Sequence, residues 1–181
     1  MLRNSRLLAL CTSAALALSA GCSPDSPTVA GADGGHHEIS QFTSGAVQIS
    51  GVGYYAGAAE CNDAEGQGSD YDLIMTGDLE GCHYIFIESA SCSPGGAYTE
   101  RGTETFVGTY NGVPGTFRTT YLFTGTYKDC ANLVGEIAGR CQHPLIPGSG
   151  EGVFEGVIGR IDMQDDIETG SFPYRGHFQS S

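Results

Sequence analysis

The sequence predicts an all-β fold, an up-and-down antiparallel barrel of about eight strands, and three observations predict it. Glycine is abundant, at 28 of 181 residues, tryptophan is absent, and only 16% of residues are charged. After residue 70 Thr, Tyr, Phe, Ile and Val dominate between glycines, whereas Lys, Leu and Ala are sparse, which is the composition of strands and tight turns. Apolar residues recur with period two in several stretches bounded by turn signals, and no long helical period is present. Closing eight strands into a barrel removes exposed edges. A two-sheet β-sandwich is the runner-up packing of the same strands.

The elements follow in order. Val47 to Tyr55 alternates, with glycines at Gly51 and Gly53 where a sheet must bend. The loop Glu60 to Ser69 holds Asn62, Asp63 and Glu65 but lacks the spaced acids and closing Glu of a calcium loop, so it reads as a solvated acidic loop. Asp70 to Thr76 and Cys82 to Ser89 are two strands joined through Gly77 and Gly81. Tyr84, Ile85, Phe86 and Ile87 are apolar on both faces, which suits a central strand. Tyr98 to Tyr110 and Thr116 to Tyr127 form the clearest hairpin, around Asn111-Gly112-Val113-Pro114-Gly115. Phe117, Thr119, Tyr121 and Phe123 share one face of it. Leu133 to Cys141 is a sixth strand. Gly159 to Asp165 and Ser171 to Phe178 complete the set, with Phe172, Tyr174, Gly176 and Phe178 alternating and Pro173 unable to donate a ladder hydrogen bond.

The start of the chain is of another kind. Arg3 and Arg6 precede an apolar run from Leu7 to Leu18, and Leu18-Ser19-Ala20-Gly21 leads directly into Cys22. The run is too short to span a bilayer, which needs about 20 apolar residues. The pattern resembles a bacterial lipoprotein signal with its lipobox. Ser19 stands where that family most often has Leu. The resemblance implies removal of residues 1–21 and a diacylglycerol thioether on Cys22; an ordinary secretory signal cut near Ala20 is the alternative. Ser23 and Pro24 follow the cysteine with no Asp, which implies the outer membrane in a two-membrane cell, with the domain in the periplasm or outside. Residues 22–42, rich in Ser, Pro, Gly and Asp, read as a lipidated flexible tether, and residues 43–181 as the barrel domain. His36 and His37 in the tether read as solvated residues.

Charge narrows the function. The net charge is −13, and loss of residues 1–21 removes two arginines and no acid, leaving −15. Such a surface repels nucleic acid, whose binding rests on Lys and Arg. It also repels anionic headgroups, so membrane contact falls to the lipid on Cys22.

The cysteines predict disulfides. Five remain in the domain, Cys61, Cys82, Cys92, Cys130 and Cys141, and no CxxC occurs, so neither a zinc ribbon nor a thioredoxin-like motif is expected. Cys82 and Cys92 flank one extended run and sit about 30 Å apart at roughly 3.3 Å per residue, beyond disulfide reach. Strands running up and down favour Cys61–Cys92 and Cys82–Cys141, leaving Cys130 over. Cys130–Cys141 is the competitor.

The late glycines carry a second resemblance. Gly148-Ser149-Gly150-Glu151-Gly152-Val153-Phe154-Glu155-Gly156-Val157-Ile158-Gly159, with Gly102-Thr103-Glu104-Thr105-Phe106-Val107-Gly108 and Gly115-Thr116-Phe117 before it, is similar to the glycine turns of allene-oxide-cyclase-like and dirigent-like barrels, and to a related uncharacterised bacterial family. The resemblance implies a calycin-like barrel of about eight strands and hands over no catalytic residue. The glycines are no dinucleotide fingerprint, because no strand-to-helix crossover accompanies them.

Candidates for chemistry are few. No G-x-S-x-G elbow occurs. His83, His143 and His177 lie far apart in sequence and read as packed or solvated residues. Strand-borne charges are the ligand-binding candidates: Glu88, Glu104, Arg118, Arg140 and the neighbouring His177, with Arg175 as a further strand charge. About half of such residues face inward in a small barrel, where a charge needs a partner, and a Glu–Arg staple is the simplest one. Asp162, Asp165 and Asp166 read as a solvated hairpin end. No metal set and no cofactor is expected. The function expected is a lipid-anchored envelope barrel that binds a small or apolar molecule or serves the envelope structurally. The alternatives are an isomerase or cyclase acting in the barrel, and a protein-interaction module. Ligand, partners and oligomeric state are not written in the sequence.

Overall fold

The structure, a computed structural model, describes residues 45–181. The signal, Cys22 and the tether lie outside the described residues. Nine strands follow one another: β1 (Val47–Tyr55), β2 (Tyr71–Gly77), β3 (Leu79–Cys92), β4 (Ala97–Tyr110), β5 (Val113–Asp129), β6 (Val134–Pro144), β7 (Glu151–Gly152), β8 (Val157–Gln164) and β9 (Ser171–Ser180). Each long strand pairs antiparallel with the next long strand in sequence, and β9 returns to β1. Eight strands therefore close an up-and-down barrel and leave no free edge, which sets the sandwich aside. The two-residue β7 pairs with β5 at Gly115 and Thr116 from outside this circle.

Period two decides what faces inward. On β4 the interior positions run Tyr98, Glu100, Gly102, Glu104, Phe106, Gly108 and Tyr110, and on β5 they run Phe117, Thr119, Tyr121 and Phe123. One end of the barrel is filled by aromatic rings. Phe106 stacks on Phe117 at 4.9 Å, and Phe154 meets Phe117 edge-on at 4.8 Å. Phe178 and Tyr110 complete this plug. Phe154 comes from the glycine-rich segment between β6 and β8 and is fully buried. A Cβ at Gly150 would collide with the Phe154 carbonyl, and Gly152 sits at φ +62°, so the glycines are what let this loop turn inward. Gly51 serves a second close approach. Tyr174 crosses it to donate to the Thr76 carbonyl at 3.1 Å and accept from the Leu79 amide at 2.9 Å.

The disulfides correct the expected pairing. Cys61 joins Cys82 and Cys92 joins Cys130, while Cys141 is free and buried. Cys61–Cys92, Cys82–Cys141 and Cys130–Cys141 are not formed. Two causes explain the difference. Cys141 is buried among the barrel's core residues, whereas Cys82 faces outward, so the barrel wall separates them. The segment after β1 does not stand at the end of the sheet. It folds back along the outside of β3 and covers Tyr84, whose hydroxyl donates to Asp63 Oδ2 at 2.7 Å and accepts from the Asp63 amide at 2.9 Å. That brings Cys61 down to Cys82. It also explains why β3 is apolar on both faces: Tyr84 is 1% exposed although it points away from the interior. The loop is thus a fitted cover whose acidic side chains, Asp63 and Glu65, nevertheless stay exposed to solvent.

Candidate functional site: a polar-floored cavity in the barrel

Above the aromatic plug the interior turns polar. Glu104 of β4 lies opposite Thr119 of β5 in register, and the Thr119 hydroxyl donates to Glu104 Oε2 at 2.5 Å. The same oxygen is 2.7 Å from Nδ1 of His143 on β6 and 3.3 Å from Nε2 of His83 on β3. None of these four residues is more than 2% exposed. Burial opposes charge on the Glu104 carboxylate, but the two nearby imidazoles, together with the His143 hydrogen bond, outweigh it and hold the carboxyl well below its ordinary range. Neither nitrogen of His83 has an aligned hydrogen bond: its Nε2 lies within ion-pair distance of Glu104 without hydrogen-bond geometry. Its ring packs edge-on against Phe106 and Phe117. Nε2 of His143 is likewise buried and unpartnered.

Two interior positions along β4 toward the open end, Glu100 collects three phenols. Tyr98 donates to it at 2.6 Å, Tyr121 at 2.8 Å and Tyr71 at 3.5 Å. Burial, and then the neighbouring carboxylate, pushes all three phenol pKa values up, so they remain donors across the physiological range. Farther out Asp165 meets Glu136. Burial first, and then hydrogen bonding and charge from Glu136, pushes the Asp165 carboxyl up to about 8. The two carboxyls meet over Gly139, where any Cβ would collide with both.

Between these groups lies a cavity of about 240 Å³. Glu104 and His143 form part of its floor, Leu73, Ile85 and Met163 part of its apolar wall, and Asp165 and Glu136 part of its polar lining. Among the described residues no Lys or Arg lines it. The free thiol of Cys141 also borders it, kept protonated by burial and by the surrounding carboxylates.

The sequence candidates divide sharply. Glu104 alone lies at the cavity. Glu88, Arg118 and Arg140 are exposed on the outside, as is Arg175, and His177 is half-buried on β9 opposite Gln48 and Arg160. The partner expected for an inward Glu was an arginine, but two histidines take that place. Those histidines, His83 and His143, stand 60 residues apart in the sequence and come from strands that are not neighbours, so spacing alone does not join them. A usable signal was present: His83 keeps the same parity as Leu79 and Ile85, and His143 the same parity as Cys141 and Leu145, all of them interior residues. Asp166 does cap a turn, accepting from the Glu168 and Thr169 amides, and Asp162 pairs with Arg160 at 2.8 Å outside. Asp165 departs from that solvated reading.

Fold and site together define a closed eight-stranded β-barrel with a partly apolar interior cavity and a buried carboxylate–histidine floor, an architecture compatible with the calycin-like barrels. Comparison with known proteins finds no matching family model and no match among curated proteins.

Proposed function

We propose that this is a lipid-anchored cell-envelope protein whose barrel binds a small, largely apolar molecule carrying one polar group. The observation that supports it is the cavity itself. The interior is packed solid at one end and left open over Glu104 and His143 at the other, with aliphatic and aromatic walls and a few convergent polar groups. A barrel serving only as an interaction module has no need of such a space. Two disulfides fit an oxidising compartment, as an anchor on Cys22 requires. Among the described residues no helix is long and apolar enough to cross a membrane.

The test is native mass spectrometry of the protein purified from its own host, followed by binding of the fluorescent apolar probe N-phenyl-1-naphthylamine. An acyl mass on Cys22 and saturable, one-to-one probe binding are expected. Ile85→Trp fills the cavity and removes the probe signal while far-ultraviolet circular dichroism and the cooperative urea transition stay native. Probe binding that survives Ile85→Trp unchanged sinks the cavity reading, and a mature chain without lipid sinks the anchor.

A second reading, proton transfer to a bound substrate, is favoured by one observation. Asp165 keeps a proton near neutral pH beside the cavity, as a general acid requires. Its signature is deuterium gained from heavy water by a retained ligand, lost in Asp165→Asn.

A further inference from the structure

Three potential metal-ligand atoms converge at the cavity floor: His83 Nε2 from β3, Glu104 Oε2 from β4 and His143 Nδ1 from β6, all within 4.8 Å of one another. We propose that they form a binding site for one divalent transition-metal ion of the zinc class.

The state of His83 is the first argument. Its ring is 1% exposed and both nitrogens lack a hydrogen-bond partner. A buried polar group left unsatisfied is destabilising, and a native core rarely keeps one without a reason. Its Nε2 stands 3.3 Å from a carboxylate oxygen. If both atoms present lone pairs, that contact is repulsive. A cation between them turns the same two lone pairs into ligands.

The charge of the floor is the second. Glu104 lies in a dry interior, and among the described residues no Lys or Arg lines the adjoining cavity. A buried carboxylate needs a counter-charge close by; in the metal-free chain that role falls to the two imidazoles alone, and a divalent ion supplies it to all three donors at once.

Donor type and spacing select the ion. Two imidazoles and one carboxylate suit Zn²⁺, Co²⁺ or Fe²⁺ better than Mg²⁺ or Ca²⁺, which take oxygen ligands. Bonds of about 2.0–2.2 Å in a tetrahedral site give donor–donor edges of roughly 3.4 Å. The 2.7 Å and 3.3 Å contacts and the 4.8 Å limit bracket that edge. Turning the imidazoles opens the shortest separation and closes the widest. Thr119, hydrogen-bonded to Glu104, orients the carboxylate as an outer-shell partner does. Phe106 and Phe117 back His83, whereas Glu104 and His143 border the cavity. The fourth position therefore falls toward the cavity, open to water or to a ligand's polar group. The site stands whether or not the cavity takes an organic ligand.

The experiment uses the full mature chain, stripped with chelator and titrated first with Co²⁺ and then with Zn²⁺. His36→Ala and His37→Ala are introduced throughout to remove competing tether donors. One Co²⁺ per chain is expected, with the visible bands of a four-coordinate nitrogen/oxygen site, and Zn²⁺ displaces it stoichiometrically. Zinc also raises the thermal midpoint, because it binds the folded chain. His83→Gln weakens binding by at least about 100-fold. His83→Phe, matched to its aromatic surroundings, stays folded and loses both the bands and the zinc-dependent midpoint. His177→Gln, on β9, behaves as wild type. Absence of stoichiometric uptake by the wild-type chain overturns the proposal. So does uptake that folded His83→Phe retains. Either result leaves N-phenyl-1-naphthylamine binding, and the ligand reading with it, intact.

Discussion

Glu104 accepts from Thr119 and faces two histidines through a single oxygen, so removing its charge disturbs several buried groups at once. Glu104→Gln in metal-free protein is expected to lower unfolding free energy by about 3–5 kcal/mol, the usual result of breaking a buried charge pair, as measured by urea titration. Asp165 acts in the opposite sense. Its folded-state value of about 8 lies above the unfolded value near 4, so the native state binds more protons between those limits. The stability contributed by the neutral carboxyl is complete at acid pH and declines until the pH passes about 8. Urea midpoints should therefore fall from about pH 4 to about pH 8 and level off above, and Asp165→Asn should remove this contribution to the slope. A wild-type curve that rises over the upper half of that window would refute the assignment. At this scale the sequence was only partly legible. Glu104 could be singled out because a charge inside a period-two run needs a partner. His83 and His143 could not be joined to it, because which strands face each other across the barrel depends on closure.

Two elements carry most of the sealing. The glycine-rich segment ending in Phe154 seats one ring against Phe106, Phe117 and Phe178. Phe154→Ala should destabilise the fold by about 3–5 kcal/mol, as large aromatic truncations in cores do, and calorimetry would read it as a lowered Tm. At Gly51 of β1, a Cβ would collide with the Thr76 carbonyl and the Tyr174 ring. Gly51→Ala should shift the urea midpoint down, while Gly45→Ala, with open space around it, should leave it unchanged. The strands themselves were legible, since alternation in β5 and β9 needs only local pattern. What the late glycines do was less so. Their resemblance to other barrels indicated turns, but not that the turn between them drops a phenylalanine into the end of the barrel.

Across the whole molecule the two disulfides fasten surface segments to the wall rather than crossing the interior. Cys61–Cys82 closes a loop of 21 residues. The double variant Cys61→Ala/Cys82→Ala should lose about 3 kcal/mol by chain entropy and free the cover over Tyr84, which limited proteolysis would report. The connectivity escaped sequence reasoning because strand direction says which end of a sheet a residue reaches. It does not say on which side of a closed wall its side chain lies, nor that a loop doubles back. The same register fixes where the circle of strands begins and ends. Val47 pairs with Phe178 and Val157 with Ser180, so the first strand begins and the last one finishes beside the Phe154 plug. The barrel is a cup whose foot carries both the start of β1 and the end of β9, so its rim stays clear for whatever arrives.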